Sequence, residues 1–161
     1  EMHRYLSPES AAGLYAEMHL ASLDLQAEAW TALAEASDRH TVVHCASGRD
    51  RTGILVAILL AGLGVPTDHI AADYAYSGVV MERMLDHLES TLTEDEIWAL
   101  NLDRKGAVYS PPETIRRFLD WLVEHHGGID GYFADVDSTA ALHTLRGNLL
   151  VAHPGRSGVS S

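Results

Sequence analysis

One segment concentrates the residues best suited to chemistry: His44-Cys45-Ala46-Ser47-Gly48-Arg49-Asp50-Arg51-Thr52-Gly53, which holds the chain's single cysteine. Five residues separate Cys45 from Arg51. A tight loop of that length can wrap one oxyanion, so that backbone N–H groups and a guanidinium reach its oxygens while sulfur sits below the central atom. Only the thiolate is a useful nucleophile, and a free cysteine at neutral pH is mostly protonated. Ahead of a helix N-terminus, with converging amides and an arginine nearby, a cysteine pKa falls to roughly 3.5–7.5. The same unpaired amides can grip a phosphate dianion. The chemistry this pattern favours is phosphoryl transfer through sulfur.

Each position in the segment then acquires a candidate role. Arg51 offers two parallel donors in a planar fork that matches two phosphate oxygens, and it stays charged at any working pH. The rest of the phosphate cradle is expected from Ala46, Ser47, Gly48, Arg49, Thr52 and Gly53, with Arg49 adding charge and Thr52 a hydroxyl near sulfur. Gly48 and Gly53 allow backbone dihedrals and close approaches that a side chain would block, Gly53 by letting the helix pack on the strand. Asp50 is the candidate general acid, protonating the leaving oxygen and later taking a proton from water. The competing reading has Asp50 capping the helix or pairing with Arg49 or Arg51. His44 is expected to orient the loop through a hydrogen bond to backbone. A purely structural Cys45 would be a small buried hydrophobe, which the fixed offsets of Gly48, Arg51, Thr52 and Gly53 argue against.

The flanking pattern indicates what must position this loop. Segments 11–20 and 22–36 read as helices, the second with Leu25, Trp30 and Leu33 apolar, and Ser37-Asp38-Arg39 turns the chain into a strand expected over 41–44. A helix over 51–63 ends at Gly64, with Pro66 beyond it, and Thr67 is expected to cap a helix running towards Tyr76. Thr93-Glu94-Asp95-Glu96 and Ser110-Pro111-Pro112-Glu113 are capping-box patterns that open helices to about Leu100 and His125, the latter stopped by Gly127. Helices are expected near 128–134 and over 138–150, followed by a flexible tail over 151–161. Met81, Met84, Leu85, Leu88 and Leu92 recur at helical spacing and read as a core stripe. A lone strand leaves both edges unpaired, so further strands or another polypeptide are expected to complete a sheet.

Composition narrows the class. At 161 residues and 47% apolar, the chain fits one domain over residues 1–150, and no run approaches the ~18–20 apolar residues of a membrane helix. A single cysteine excludes an internal disulfide framework and a resolving partner, so an outside thiol must reverse oxidation of Cys45. A cytoplasmic protein is expected, with secretion left open. The formal charge of −12 argues against nucleic acid and against a polybasic lipid-binding patch. Ten histidines show no metal-ligand spacing, so neither metal nor cofactor is expected.

The loop, His-Cys-x-x-Gly-x-Asp-Arg-Thr-Gly in this sequence, resembles the signature of the bacterial cysteine-dependent tyrosine phosphatases typified by mycobacterial tyrosine phosphatase B. The likeness continues through Ile70-Ala71-Ala72-Asp73-Tyr74 with Ser77, the stretch from Gly127-Gly128 to Tyr132, and Leu145-Arg146-Gly147. It implies an α/β fold with a parallel central sheet flanked by helices, and hydrolysis of phosphotyrosine, phosphoserine or phosphothreonine, or phosphoinositides, with phosphate or sulfate able to occupy the loop. The family usually carries lysine where Arg49 stands, and it begins with a segment bearing several strands that this sequence lacks. The resemblance therefore reads as the C-terminal portion of such a domain, mostly helical with few strands, whose sheet is completed by the absent N-terminal segment, with that segment the alternative to Asp50 as source of the general acid. It also implies that residues 81–102 form an apolar helical lid over the site. Two rival readings are a non-catalytic phosphate-binding module and a rhodanese-like sulfurtransferase, whose loops generally hold four residues between cysteine and arginine.

Overall fold

The computed structural model describes residues 7–99 and 104–150. Among them the elements are helices: α1 (Pro8–Leu20), α2 (Leu23–Ala36), α3 (Asp50–Gly62), α4 (Thr67–Thr91), α5 (Glu94–Ala99), α6 (Arg104–Val108), α7 (Pro112–His126), α8 (Ile129–Asp135) and α9 (Thr139–Leu149). The tail over 151–161 and the expected helix end at Leu100 lie outside the described residues.

The centre of the packing is α7. Its buried residues Thr114, Ile115, Phe118, Leu119 and Leu122 follow the i, i+3, i+4, i+7 spacing of an amphipathic helix, and its apolar stripe meets α1, α4, α3 and α8. It stops where sequence expects, at Gly127, whose φ of 69° is the left-handed conformation that glycine adopts without Cβ strain. Helix α3 enters the same core through Ile54, Ala57 and Ile58. Its last residue, Gly62, lets α8 and α9 close in: a Cβ there would lie 2.9 Å from Leu142 and 3.0 Å from Phe133.

Several expectations are corrected. Among the described residues the strand expected over 41–44 does not form, and the elements are helical. A strand is defined by a ladder with a neighbour, and no described segment offers one, so Val42 stands 85% exposed. The helix expected to run towards Tyr76 continues to Thr91 as α4. Gly78 is tolerated inside it because the chain at Val108 crosses there, its carbonyl oxygen 2.7 Å from where a Cβ would sit. Of the two capping boxes, Thr93 and Glu96 form theirs reciprocally, whereas Ser110 does not. Pro111 is the N-cap of α7, which places Ser110 one residue too early for its hydroxyl to cap the helix. Thr67 likewise falls inside α4, whose N-cap is Pro66. The stripe on α4 is narrower than expected, with Met81 and Leu85 buried but Met84 exposed.

Polar groups also cross the interior. Trp30 Nε1 donates to Tyr132 Oη at 2.6 Å, and Tyr132 donates to Gln26 Oε1 at 2.5 Å. Gln26 Nε2 lies 3.4 Å from His19 Nδ1, His19 Nε2 3.3 Å from His126 Nε2, and His126 Nδ1 2.7 Å from Asp135. One consistent assignment has every proton pointing towards Asp135, with both imidazoles neutral. Burial first, then the neighbouring His126 and His125, lower His19 from 6.5 to about 4. The unfolded chain takes up that proton near pH 6.5 while the folded one resists it until about 4, so stability falls as pH drops through this window. We expect a loss on the order of 3 kcal/mol between pH 7 and 4 from this group. Urea unfolding across that range should show it, and His19→Gln should flatten the dependence.

Candidate active site

The loop ahead of α3 sets the chemistry. Burial is the largest single influence on the Cys45 thiol and would raise its pKa, but the Thr52 hydroxyl and the backbone N–H groups of Thr52, Gly48 and Ser47 together outweigh it. The net effect lowers the thiol from 9.0 to about 6. Thr52 Oγ1 is buried and has no other partner among the described residues, which leaves its proton free to turn to sulfur. Gly48 has φ +73°, a left-handed turn that aims successive amides at sulfur and that an L side chain would strain. His44 Nδ1 lies 3.0 Å from the Cys45 carbonyl oxygen, the backbone contact expected of it. Ala46 is exposed in the loop, and its amide is not among those acting on sulfur.

Arg49 and Asp50 face the protein. The Arg49 guanidinium is buried and donates through Nε to Asp50 Oδ1 and through Nη2 to Oδ2, each at 3.1 Å, while Nη1 meets the carbonyl oxygens of Gly106 and Ala107 on α6. Its donors thus serve the ion pair and α6, not an open phosphate position. Asp50 also accepts from the Tyr15 hydroxyl at 2.6 Å. The pairing weighed for Asp50 is therefore present, with Arg49 as the partner. Gly53 N–H is engaged by the Arg49 carbonyl at 2.8 Å in the first turn of α3. What Gly53 supplies is room: a Cβ there would meet the Tyr74 ring of α4 at 3.1 Å, so the close approach is to a helix rather than a strand.

Two cavities flank α3, on faces about half a turn apart. A small one of about 80 Å³ is lined by Gly48, Thr52 and Gly53 of the loop and by Asp73, Tyr74 and Ser77 of α4. The α4 motif is thereby brought against the cysteine loop. A larger one of about 420 Å³ is apolar, walled by Met18, Leu25, Trp30, Ile54 and Ile58, with Arg51 as its charged member. Arg51 is exposed and forms no ion pair among the described residues, so its fork is uncommitted. Of the expected lid, the part at 81–99 lies in α4 and α5 and residues 100–102 are outside the described residues; α6, just beyond, is what reaches the loop. Among the described residues no group of three or more His, Cys, Asp or Glu could hold a metal ion, and no helix is long and apolar enough to cross a membrane.

The sequence model of the tyrosine phosphatase family matches residues 4–151. This chain belongs to that family. It is similar to the triple specificity protein phosphatase PtpB of Mycobacterium tuberculosis, 29% identical over 125 residues that cover 71% of this chain and 45% of PtpB. The chain thus spans about half the length of the curated relative it matches. No solved structure matches it.

Sequence reasoning missed Tyr15 and Tyr74 as neighbours of the loop. Tyr15 looks like core on an apolar helix face, and nothing local marks a partner 35 residues away. For this family member we expect the rate of Cys45 alkylation by iodoacetamide to titrate with a midpoint of about 6. Thr52→Val should raise that midpoint by about one pH unit, the effect of losing one hydrogen bond to an anion.

Proposed function

We propose that the protein hydrolyses phosphate monoesters through a cysteinyl-phosphate intermediate, with phosphotyrosine in proteins as the favoured substrate. The observation that carries this reading is the convergence of the Ser47, Gly48 and Thr52 amides on the Cys45 sulfur, an arrangement that favours its thiolate. The thiolate attacks phosphorus, the P–O bond to the leaving group breaks, and Asp50 gives that oxygen its proton. Arg51 and the loop amides stabilise the equatorial oxygens. Water then attacks the thiophosphate, Asp50 takes the proton, and inorganic phosphate leaves as the thiolate is restored.

Arg51 lines the apolar cavity on the other face of α3 and pairs with no carboxylate among the described residues, so its guanidinium is available to turn to the loop, whereas that of Arg49 is committed to Asp50 and α6. The name of the mycobacterial relative, a triple specificity phosphatase, supports a range wider than phosphotyrosine, with phosphoserine, phosphothreonine and phosphoinositide as further candidates. The parallel sheet of the resemblance is also a proposal. The exposed Val42 fits a segment over 41–44 that pairs with a strand from outside the described residues.

The test is the behaviour of three variants on aryl phosphates, p-nitrophenyl phosphate for the first two. Cys45→Ser should bind phosphate yet lose turnover by about a thousandfold or more. Arg51→Lys should lose both binding and rate, because an ammonium cannot reproduce the bidentate fork. Asp50→Asn should keep phosphate binding and lose rate by about a hundredfold on esters with poor leaving groups. Ordinary activity in Cys45→Ser would refute the covalent mechanism.

A further inference from the structure

We propose that Tyr15 is a positioning residue for the acid step, holding the Asp50 carboxyl group in place, and that Tyr74 in turn holds Tyr15. The inference rests on the general-acid role given to Asp50 above.

A phenol has a single proton to donate. Tyr15 gives its proton to Asp50 Oδ1 at 2.6 Å. Its oxygen also lies 2.7 Å from Tyr74 Oη, so in that pair Tyr74 must be the donor. The chain of donation therefore runs Tyr74 to Tyr15 to Asp50, and it ties α4 and α1 to the first residue of α3. The direction is stable. Burial is the main influence raising both phenols above their ordinary range, so each keeps its proton at working pH.

The carboxylate is held asymmetrically. Oδ1 accepts from Tyr15 and from Arg49 Nε, whereas Oδ2 accepts only from Arg49 Nη2. Oδ2 is thus the oxygen with capacity left for a transferable proton, and the side chain is 30% exposed, open enough to reach a substrate. Aromatic packing fixes Tyr15 itself. It is 2% exposed, with its ring edge-on to Tyr74 and to Phe118, both at 6.2 Å. Tyr74 is set over Gly53, where a Cβ would lie 3.1 Å from its ring. A carboxyl group at a helix start can turn about two torsions, and loss of one tether displaces the proton from the line of the leaving oxygen.

The experiment compares kcat/KM on phenyl phosphate, a poor leaving group, with kcat/KM on p-nitrophenyl phosphate, a good one. Loss of acid assistance hurts the poor leaving group more, whereas simple structural damage lowers both alike. In Tyr15→Phe we expect about a tenfold fall on phenyl phosphate and a much smaller one on p-nitrophenyl phosphate. Tyr74→Phe should change the ratio in the same direction by less. In an Asp50→Asn background Tyr15→Phe should not change the ratio further, because it acts through Asp50. Equal losses on both esters, or an unchanged ratio, would overturn the proposal. So would a further change of the ratio in the double variant. If Asp50→Asn itself leaves the ratio unchanged, the general-acid reading fails first; if only Asp50→Asn changes it, the positioning role alone fails. Should Tyr15→Phe not fold by circular dichroism, Tyr74→Phe decides by the same ratio.

Discussion

The pull of one hydroxyl and several backbone amides on a single sulfur, just ahead of a helix, is the interaction on which the candidate site depends. Burial opposes negative charge there, and only those donors, aimed at the same point, reverse the balance for Cys45. Amides converge this way only if the chain turns sharply at Gly48 and then enters α3 without delay. The helices around the loop can be understood as what keeps that turn in place. Helix α3 is anchored by apolar contacts with α4, α7 and α8, and its first turn is pinned on the α4 side by the fit between Gly53 and Tyr74.

A second set of contacts keeps compensating charge close by without letting it intrude. Arg49 stands where the resembling family usually has lysine, and the reason lies in its geometry. A planar fork can address both Asp50 oxygens and still direct a third nitrogen at the Gly106 and Ala107 carbonyls. An ammonium group has no such rigid spread. The arrangement removes Arg49 from the phosphate position and leaves Arg51 as the available cation of the loop. It also makes the segment before α7 part of the site's support, because α6 is attached to the loop through one side chain.

Much of the site was legible because its signals are local. Cys45, Gly48, Thr52 and the helix start lie within a few residues of each other, and each has a chemical reason to occupy its offset. The helices were legible too, since periodicity and stop signals such as Gly127 are short-range. Failures arose where distant partners decide the outcome. The strand over 41–44 needs a neighbour that no described segment provides, so Val42 is exposed instead of paired. The continuity of α4 past Gly78 depends on a backbone crossing 30 residues away, at Val108. The pairing of Asp50 with its neighbour Arg49 was legible, but the hold of α6 on Arg49 and the tyrosine chain to Asp50 rest on contacts between α1, α3, α4 and α6, which no spacing in the sequence encodes.

The central claim is that sulfur itself becomes the phosphoryl acceptor. It is tested most directly by mixing enzyme with a fast-leaving aryl phosphate, quenching in acid within milliseconds and mapping the peptides by mass. The account predicts one added phosphoryl group on the peptide carrying Cys45, appearing with the burst of released phenol and decaying as inorganic phosphate forms. Continued release of phenol with that peptide never modified would contradict it.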